Sequence, residues 1–196
     1  MQPSILISLS SFGAAEVRRH GQLWFTRLAE AAGADGIEVR GELLADGDAE
    51  LSAIAGAATR LQRVYSSPEG LWRDDGALDE AVLDRALASA AHLGAPRLKM
   101  SIGGYSAASA ATLDTLRERL HGSPIEVLIE NDQTPSAGTL SALPGFFAAA
   151  QQRKLSLGMT FDIGNWHWTG ECPLQAAQTL TPQVRYVHCK GVQRQQ

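Results

Sequence analysis

The chain is long enough for one sizeable domain, and its charge pattern does not suit a nucleic acid. It has 196 residues, of which 44% are hydrophobic and 19% charged, with a formal net charge of −4 at pH 7. This composition is ordinary for a globular domain, and the lack of clustered Lys and Arg argues against a surface that contacts phosphate backbones.

The sequence begins without the features of a targeting segment. Residues 1–9 lack a basic stretch and carry only a short apolar run, so we expect no signal peptide. No apolar segment approaches the roughly 20 residues needed to cross a bilayer, so no membrane partner is expected. Cys172 and Cys189 are too far apart in sequence for a metal knuckle or a redox pair, and reduced thiols in a cytoplasmic protein are the simplest interpretation.

Apolar, strand-like runs alternate with Ala- and Leu-rich helical segments along the whole chain. The helical segments carry apolar residues at three- and four-residue spacing, as at Leu78, Val82, Leu83 and Leu87. The predicted elements, in chain order, are a strand at 4–9, a helix at 15–32, a strand at 36–40, a helix at 49–59, a strand at 61–66, a helix at 77–93, a strand at 96–102, a helix at 107–121, a strand at 125–131, a helix at 139–152, a strand at 157–163, a helix at 173–180 and a strand at 184–190.

This alternation, at a repeat of roughly 30 residues, predicts parallel strands with helical crossovers in one domain that spans 1–196. A doubly wound open sheet and a (β/α) barrel both fit such a pattern. The first strand is followed by Ser10-Ser11-Phe12-Gly13, which is not the Gly-rich phosphate-binding turn of the open sheet. The sequence therefore favours an α/β fold of the TIM-type barrel class.

A closed barrel of this class needs eight strands, and the pattern supplies about seven. We therefore expect an incomplete barrel that lacks the eighth βα unit and is truncated at its C-terminal end. An open barrel leaves strand edges unpaired. Either the chain is a shortened form of a longer protein, or another chain, such as a second copy in a homo-oligomer, covers the open edge.

Three of the predicted strands end in a side chain that can bind a metal. Glu130, Asp162 and His188 close the fifth, sixth and seventh strands, and each shares its face with the alternate residues of its strand. The carboxyl ends of neighbouring parallel strands meet at one edge, where barrel enzymes build their sites. Two carboxylates and an imidazole at one point are predicted to hold a divalent cation.

Other polar side chains share the predicted inward faces. Glu38 lies on the second strand, Lys99 on the fourth, and Lys190 two residues after His188. We interpret Glu38 and Lys99 as candidate substrate contacts. The alternatives are plain: strand-end carboxylates often cap turns or helices, and the lysines could form an ion-pair network with the acidic groups in the absence of any metal.

An aromatic segment follows the sixth strand. His167 lies between Trp166 and Trp168, shortly after Asn165. Such a segment at the mouth of a site suggests a wall for a substrate, and packing of the loop on itself is an equal alternative. We include Asn165, His167 and Trp168 among the candidate substrate-binding residues.

The three strand-end motifs together resemble the xylose isomerase-like TIM-barrel superfamily, and more narrowly its sugar phosphate isomerase/epimerase branch. The segments that carry the resemblance are Val-Leu-Ile-Glu130-Asn-Asp-Gln-Thr, Thr-Phe-Asp162-Ile-Gly-Asn-Trp and Tyr-Val-His188-Cys-Lys190-Gly-Val. The likeness extends from the first strand to residue 196.

The resemblance implies a divalent metal, most often Mn²⁺, with Mg²⁺, Zn²⁺, Co²⁺ or Fe²⁺ as alternatives. Glu130, Asp162 and His188 would supply three ligands, and the fourth, a glutamate of the eighth strand, has no counterpart here. Asn165 stands where several relatives have a substrate-contacting His, and His167 is the candidate replacement. Glu130 would also be one of the two acid–base groups. Lys190, the second candidate catalytic residue, would hold a substrate oxygen or phosphate.

These features predict a metal-dependent sugar or sugar phosphate isomerase or epimerase that moves a proton through an enediolate and takes a small-molecule substrate. A non-catalytic sugar-binding protein or remnant is the alternative, because the eighth-strand glutamate is missing. A metal-dependent endonuclease for abasic DNA ranks third, since the chain has few strand-end histidines and no basic stripe.

Overall fold

The computed structural model describes residues 3–191 and contains one seven-stranded sheet. Its strands lie side by side in chain order, as the repeat predicts. They are β1 Leu6–Ser8, β2 Gly36–Arg40, β3 Gln62–Trp72, β4 Arg97–Gly103, β5 Glu126–Glu130, β6 Gly158–Asp162 and β7 Val184–His188.

Helices connect successive strands. They are α1 Ala14–His20, α2 Gln22–Ala31, α3 Gly47–Ala57, α4 Glu80–Leu93, α5 Thr112–Leu120, α6 Leu143–Gln152, α7 Asn165–Trp168 and α8 Pro173–Leu180. Short 3₁₀ turns lie at Leu9–Phe12, Gly41–Leu43, Ala107–Ala111 and Thr181–Gln183. Within the described residues, no helix combines the length and the apolar character that a membrane-spanning segment requires.

The chain divides into two compact units, residues 3–68 with 84–98 and residues 69–83 with 99–191. In the first unit, β1 pairs with β2 and β2 with β3, both in parallel. The middle of β2 is buried on both faces, and its apolar residues Ile37 and Val39 are fully enclosed. Such double burial is expected for a parallel strand between layers.

In the second unit, β5 pairs with β6 and β6 with β7, again in parallel. All five residues of β6 are buried, including the polar Thr160 and Asp162. An aromatic cluster of Trp72, Tyr105 and Phe146 packs edge to face, with ring centroids 4.9–5.6 Å apart. This unit carries the ends of β5, β6 and β7, where the candidate ligands lie.

Several predicted boundaries differ from the structure, and two of the differences have a clear physical reason or consequence. The helix expected at 15–32 is two helices, because Gly21 adopts a φ of 76° that interrupts the helical backbone between α1 and α2. The third strand continues past residue 66 to Trp72. The Trp72 side chain is buried and donates a hydrogen bond from Nε1 to Thr112 Oγ1 at 2.8 Å, so it belongs to the core.

Candidate metal centre

The three candidate ligands stand at the carboxyl ends of adjacent strands. Glu130, Asp162 and His188 are the last residues of β5, β6 and β7. In the register of the sheet, Asp162 lies opposite His188, and Glu130 lies opposite Thr160, two residues before Asp162 and on the same face. Parallel pairing with this register is what brings three residues that are distant in sequence to one edge.

Their functional groups are in contact. His188 Nδ1 lies 3.0 Å from Asp162 Oδ2 and 3.4 Å from Glu130 Oε1. One ligand atom from each of the three residues lies within 4.8 Å of the others. The carboxylate of Asp162 is almost fully buried, while Glu130 and His188 are partly exposed. The cluster therefore has an enclosed base and an open side.

The spacing of these atoms fits a divalent cation. Metal–ligand bonds of about 2.1 Å place neighbouring ligand atoms about 3.0 Å apart in an octahedral site and about 3.4 Å apart in a tetrahedral one. The two separations at His188 Nδ1 are 3.0 and 3.4 Å. One imidazole nitrogen and two carboxylate oxygens also form a mixed donor set that suits Mn²⁺, Fe²⁺ or Zn²⁺. The residues present thus fit a divalent cation in donor type and in these two separations.

Two lysines hold the same carboxylates. Lys99 Nζ lies 3.0 Å from Glu130 Oε1, and its side chain is only 1% exposed. Lys190 Nζ lies 3.1 Å from Asp162 Oδ2 and donates to Asn165 Oδ1 at 2.6 Å. A buried carboxylate without a partner costs several kcal/mol, so these ammonium groups explain how the cluster is stable as an ion-pair network.

The pKa of Asp162 lies below its ordinary value. Burial alone would raise this pKa, but hydrogen bonds from His188 and from the backbone N–H of Asn165, together with the Lys190 ammonium, outweigh burial. The Asn165 N–H donates to Asp162 Oδ1 at 2.8 Å. Asp162 is therefore a carboxylate anion at neutral pH, which is the form that binds a metal.

Asn131 organises the site, although the strand periodicity of the sequence does not indicate this role. Its side chain accepts from the backbone N–H of Asp162 at 2.8 Å and donates to the Asp162 carbonyl at 3.0 Å. Its own carbonyl accepts from Asn165 Nδ2 at 2.7 Å. The available signal was its position directly after Glu130, but its side chain lies opposite in parity to the ligands.

The remaining predicted residues differ in their surroundings. Asn165 is buried and bonded to Lys190 and Asn131, and Gln133 Nε2 donates to its Oδ1 at 3.3 Å. His167 and Trp168 belong to the short helix α7, and Trp168 is 70% exposed. The group of possible metal ligands comprises Glu130, Asp162 and His188 and includes neither of these two residues.

Glu38 lies in the first compact unit, at the centre of β2. Its side chain is fully buried, and its Oε1 accepts from Ser8 Oγ at 3.2 Å and from Arg40 Nη1 at 3.1 Å. The acidic group is thus held by a hydroxyl and a guanidinium of its own unit. Its assignment as a substrate contact stays a prediction.

Comparisons with known proteins identify the fold. No protein-family model matches the chain, and no curated protein matches it. Solved structures do match. A xylose isomerase domain-containing protein from Salmonella typhimurium superposes with a TM-score of 0.68 at 15% identity, covering 97% of this chain and 74% of that one.

Two further solved structures are similar. An L-ribulose 3-epimerase gives a TM-score of 0.66 at 18% identity, covering 95% of this chain and 69% of that one. An AP endonuclease of family 2 from Brucella melitensis gives a TM-score of 0.66 at 17% identity, covering 95% of this chain and 78% of that one. The prediction of fold class is confirmed: the chain has an incomplete α/β TIM-type barrel of seven strands, and its structural neighbours are xylose isomerase-like TIM-barrel proteins.

Proposed function

We propose that the chain is a metal-dependent sugar or sugar phosphate isomerase or epimerase, with Glu130, Asp162 and His188 as metal ligands. The observation that supports the proposal most directly is the convergence of these three side chains, with ligand atoms within 4.8 Å of one another, at the carboxyl edge of the sheet. The fold alone does not select the reaction, since its neighbours include an epimerase and an endonuclease.

The reaction requires removal of a proton from a carbon next to a carbonyl. Glu130 is the proposed proton acceptor, because its carboxylate is partly exposed and its Oε1 is held by Lys99 at 3.0 Å. Lys99 is buried and keeps that oxygen in place, so the second oxygen is the one we assign to proton transfer. A divalent cation, when bound, supplies positive charge next to the enediolate oxygens. Lys190, the more exposed ammonium, contacts a substrate oxygen.

The first test of the proposal is metal binding. We expect Glu130→Gln and His188→Ala to weaken Mn²⁺ affinity at least about 100-fold, because each removes one of three ligands. Glu126→Gln on the same strand and His121→Ala outside the cluster are matched controls and should bind as the parent does. Isothermal titration with Mn²⁺ measures the affinities, and thermal unfolding verifies that each variant folds. Equal Mn²⁺ affinity in all four variants would contradict the assignment of Glu130 and His188 as metal ligands.

The second test is proton exchange. In D₂O, the Mn²⁺-loaded protein should transfer deuterium from solvent to the carbon next to the carbonyl of its ketose substrate, detected by NMR across a panel of ketoses and ketose phosphates. Glu130→Gln should slow this exchange at least about 100-fold. Binding of a sugar without exchange would support the sugar-binding alternative instead.

An abasic-site endonuclease is a second candidate because one structural neighbour is an AP endonuclease. Incubation of the Mn²⁺-loaded protein with an abasic duplex, followed by a denaturing gel, tests this candidate. Strand cleavage that His188→Ala abolishes would favour it over sugar chemistry.

The proposal also includes a cytoplasmic location, supported by two free, exposed cysteines, Cys172 and Cys189.

A further inference from the structure

Thr160 carries a buried hydroxyl that has no hydrogen-bond partner in the described part of the chain. It lies in the middle of β6 with an exposed fraction of 0%, and none of residues 3–191 forms a hydrogen bond with its Oγ1. The other fully buried threonine among these residues, Thr26, differs, since its Oγ1 donates to the Gln22 carbonyl at 2.9 Å. An unpaired buried hydroxyl costs free energy, whereas valine would fill a similar volume without that cost. The packing of β6 therefore does not explain why this position carries a hydroxyl.

The sheet places this hydroxyl beside a candidate metal ligand. In the register, Thr160 lies opposite Glu130 of β5 and opposite Tyr186 of β7. It also precedes Asp162 by two residues, so both side chains lie on the same face of β6. Thr160 is thus on the face of the sheet that carries the candidate ligands, in the same row of the sheet as Glu130.

Glu130 is the neighbouring ligand that has an acceptor to offer. Both carboxylate oxygens of Asp162 already have partners, at 2.8–3.1 Å. The two contacts described for Glu130, with Lys99 and with His188, are both made by its Oε1. A carboxylate oxygen has two acceptor positions, so Oε2 can accept a hydrogen bond from a hydroxyl and still accept a proton from a substrate.

We propose that Thr160 is a positioning residue whose hydroxyl donates to Glu130 Oε2 when a divalent cation occupies the site. Lys99 and a cation compete for Glu130 Oε1, because both are positively charged, so the carboxylate reorients on metal loading, and Thr160 is the unpaired donor beside it. A hydrogen bond of this kind orients a ligating carboxylate and strengthens metal binding. The inference rests on the proposed function, because it requires Glu130 to be a metal ligand.

Metal affinity tests the role of the hydroxyl. Thr160→Val removes the hydroxyl and keeps the shape of the side chain, and isothermal titration should show Mn²⁺ affinity at least about 10-fold weaker than that of the parent protein. Thr160→Ser keeps the hydroxyl and should bind Mn²⁺ nearly as tightly as the parent. Thr26→Val is the matched control, because it makes the same substitution at an equally buried threonine of the other compact unit, and it should leave Mn²⁺ affinity unchanged.

Urea unfolding of chelator-treated protein separates positioning from a purely structural role. Since Thr160 Oγ1 has no hydrogen-bond partner among the described residues, Thr160→Val should raise the urea midpoint. Thr26→Val loses an existing hydrogen bond and should lower the midpoint. The expected result for Thr160→Val is thus higher stability together with weaker metal binding, a combination that a hydroxyl needed only for the fold would not give.

The possible outcomes separate this inference from the proposed function. Parent-like Mn²⁺ affinity in Thr160→Val would overturn the inference alone, as would Mn²⁺ binding by Thr160→Ser that is as weak as that of Thr160→Val. A urea midpoint that Thr160→Val lowers as much as Thr26→Val does would also overturn it, because the hydroxyl would then have a structural partner. Mn²⁺ binding by the parent protein is measured first, and its absence would overturn the proposed function together with the inference.

Discussion

Asn131 joins the two strands that carry the candidate acidic ligands. It follows Glu130 directly in the chain, and its side-chain amide bonds both the N–H and the carbonyl of Asp162. A side chain thereby supplies the hydrogen bonds that a sheet ladder would otherwise provide where β6 ends. Because Asn131 is fully buried, water cannot replace these bonds when they are lost.

We expect Asn131→Ala to lower the free energy of unfolding by about 2–4 kcal/mol, since it leaves a buried N–H and a buried carbonyl of Asp162 without partners. Urea denaturation measures the change. Gln133→Ala is the control, because it removes one 3.3 Å bond to Asn165 in a partly buried place and should cost less than about 1 kcal/mol. Similar small effects of both substitutions would show that Asn131 is not a structural anchor.

At the residue scale, the sequence predicts the candidate ligands better than it predicts the residues that hold those ligands in position. Alternation along a strand places Glu130, Asp162 and His188 on one face, and parallel order brings the strand ends together. The residues that position the ligands follow no such periodicity. Asn131 is opposite in parity to Glu130, and its role depends on how β5 and β6 align, which only the folded sheet defines.

At the scale of elements, residues with strong local preferences, such as proline, predict where helices begin. The helix expected at 173–180 begins and ends at Pro173 and Leu180, because Pro at a first helical position needs no N–H partner. The second half of β3, beyond residue 66, was harder to predict. Its Pro68 and Gly70 are typical of a turn, yet β3 continues through them. A Cβ at Gly70 would lie 2.8 Å from Gly103 Cα, so this glycine permits close backbone approach rather than a turn.

Gly21 divides one amphipathic stretch into two helices, and its backbone is the reason. Apolar spacing continues across this position, so periodicity alone predicts a single helix. The φ of 76° is unfavourable for any residue with a side chain. The same junction is tied to α3, because Glu50 Oε1 accepts from the N–H of Gln22 at 2.7 Å.

We expect Gly21→Ala to destabilise the protein by about 1–3 kcal/mol, since alanine must adopt a strained conformation at this junction. Gly56→Ala is the opposite control: this exposed glycine lies inside α3, a Cβ there meets open space, and the substitution should stabilise by about 0.5 kcal/mol. Urea unfolding of the two variants should give changes of opposite sign. A stabilising Gly21→Ala would mean that the helix break is not intrinsic to the fold.

At the scale of the whole molecule, the sheet order leaves its terminal strands with one described neighbour each. β7 is last in that order and pairs with β6. Val187, on the face of β7 opposite to His188, is 49% exposed. Exposed edges with apolar side chains favour association with another chain.

We expect the protein to form a homo-oligomer at micromolar concentration through β7, and Val187→Lys to shift it to the monomer, because a charge on an edge strand opposes pairing. Size-exclusion chromatography with light scattering gives the mass. Leu28→Lys, at a similarly exposed apolar position on α2, is the control and should leave the mass unchanged. A parent protein that elutes as a monomer at every concentration would contradict this expectation.

The lysine counter-charges allow the carboxylates to be buried without a metal. Zinc fingers remain unfolded until the metal arrives, because their ligands have nothing else to bind. Here Lys99 and Lys190 already pair with the acidic side chains, so the chain can bury these carboxylates before any metal binds. Under the proposed function, metal loading would exchange ammonium contacts for coordination bonds without refolding.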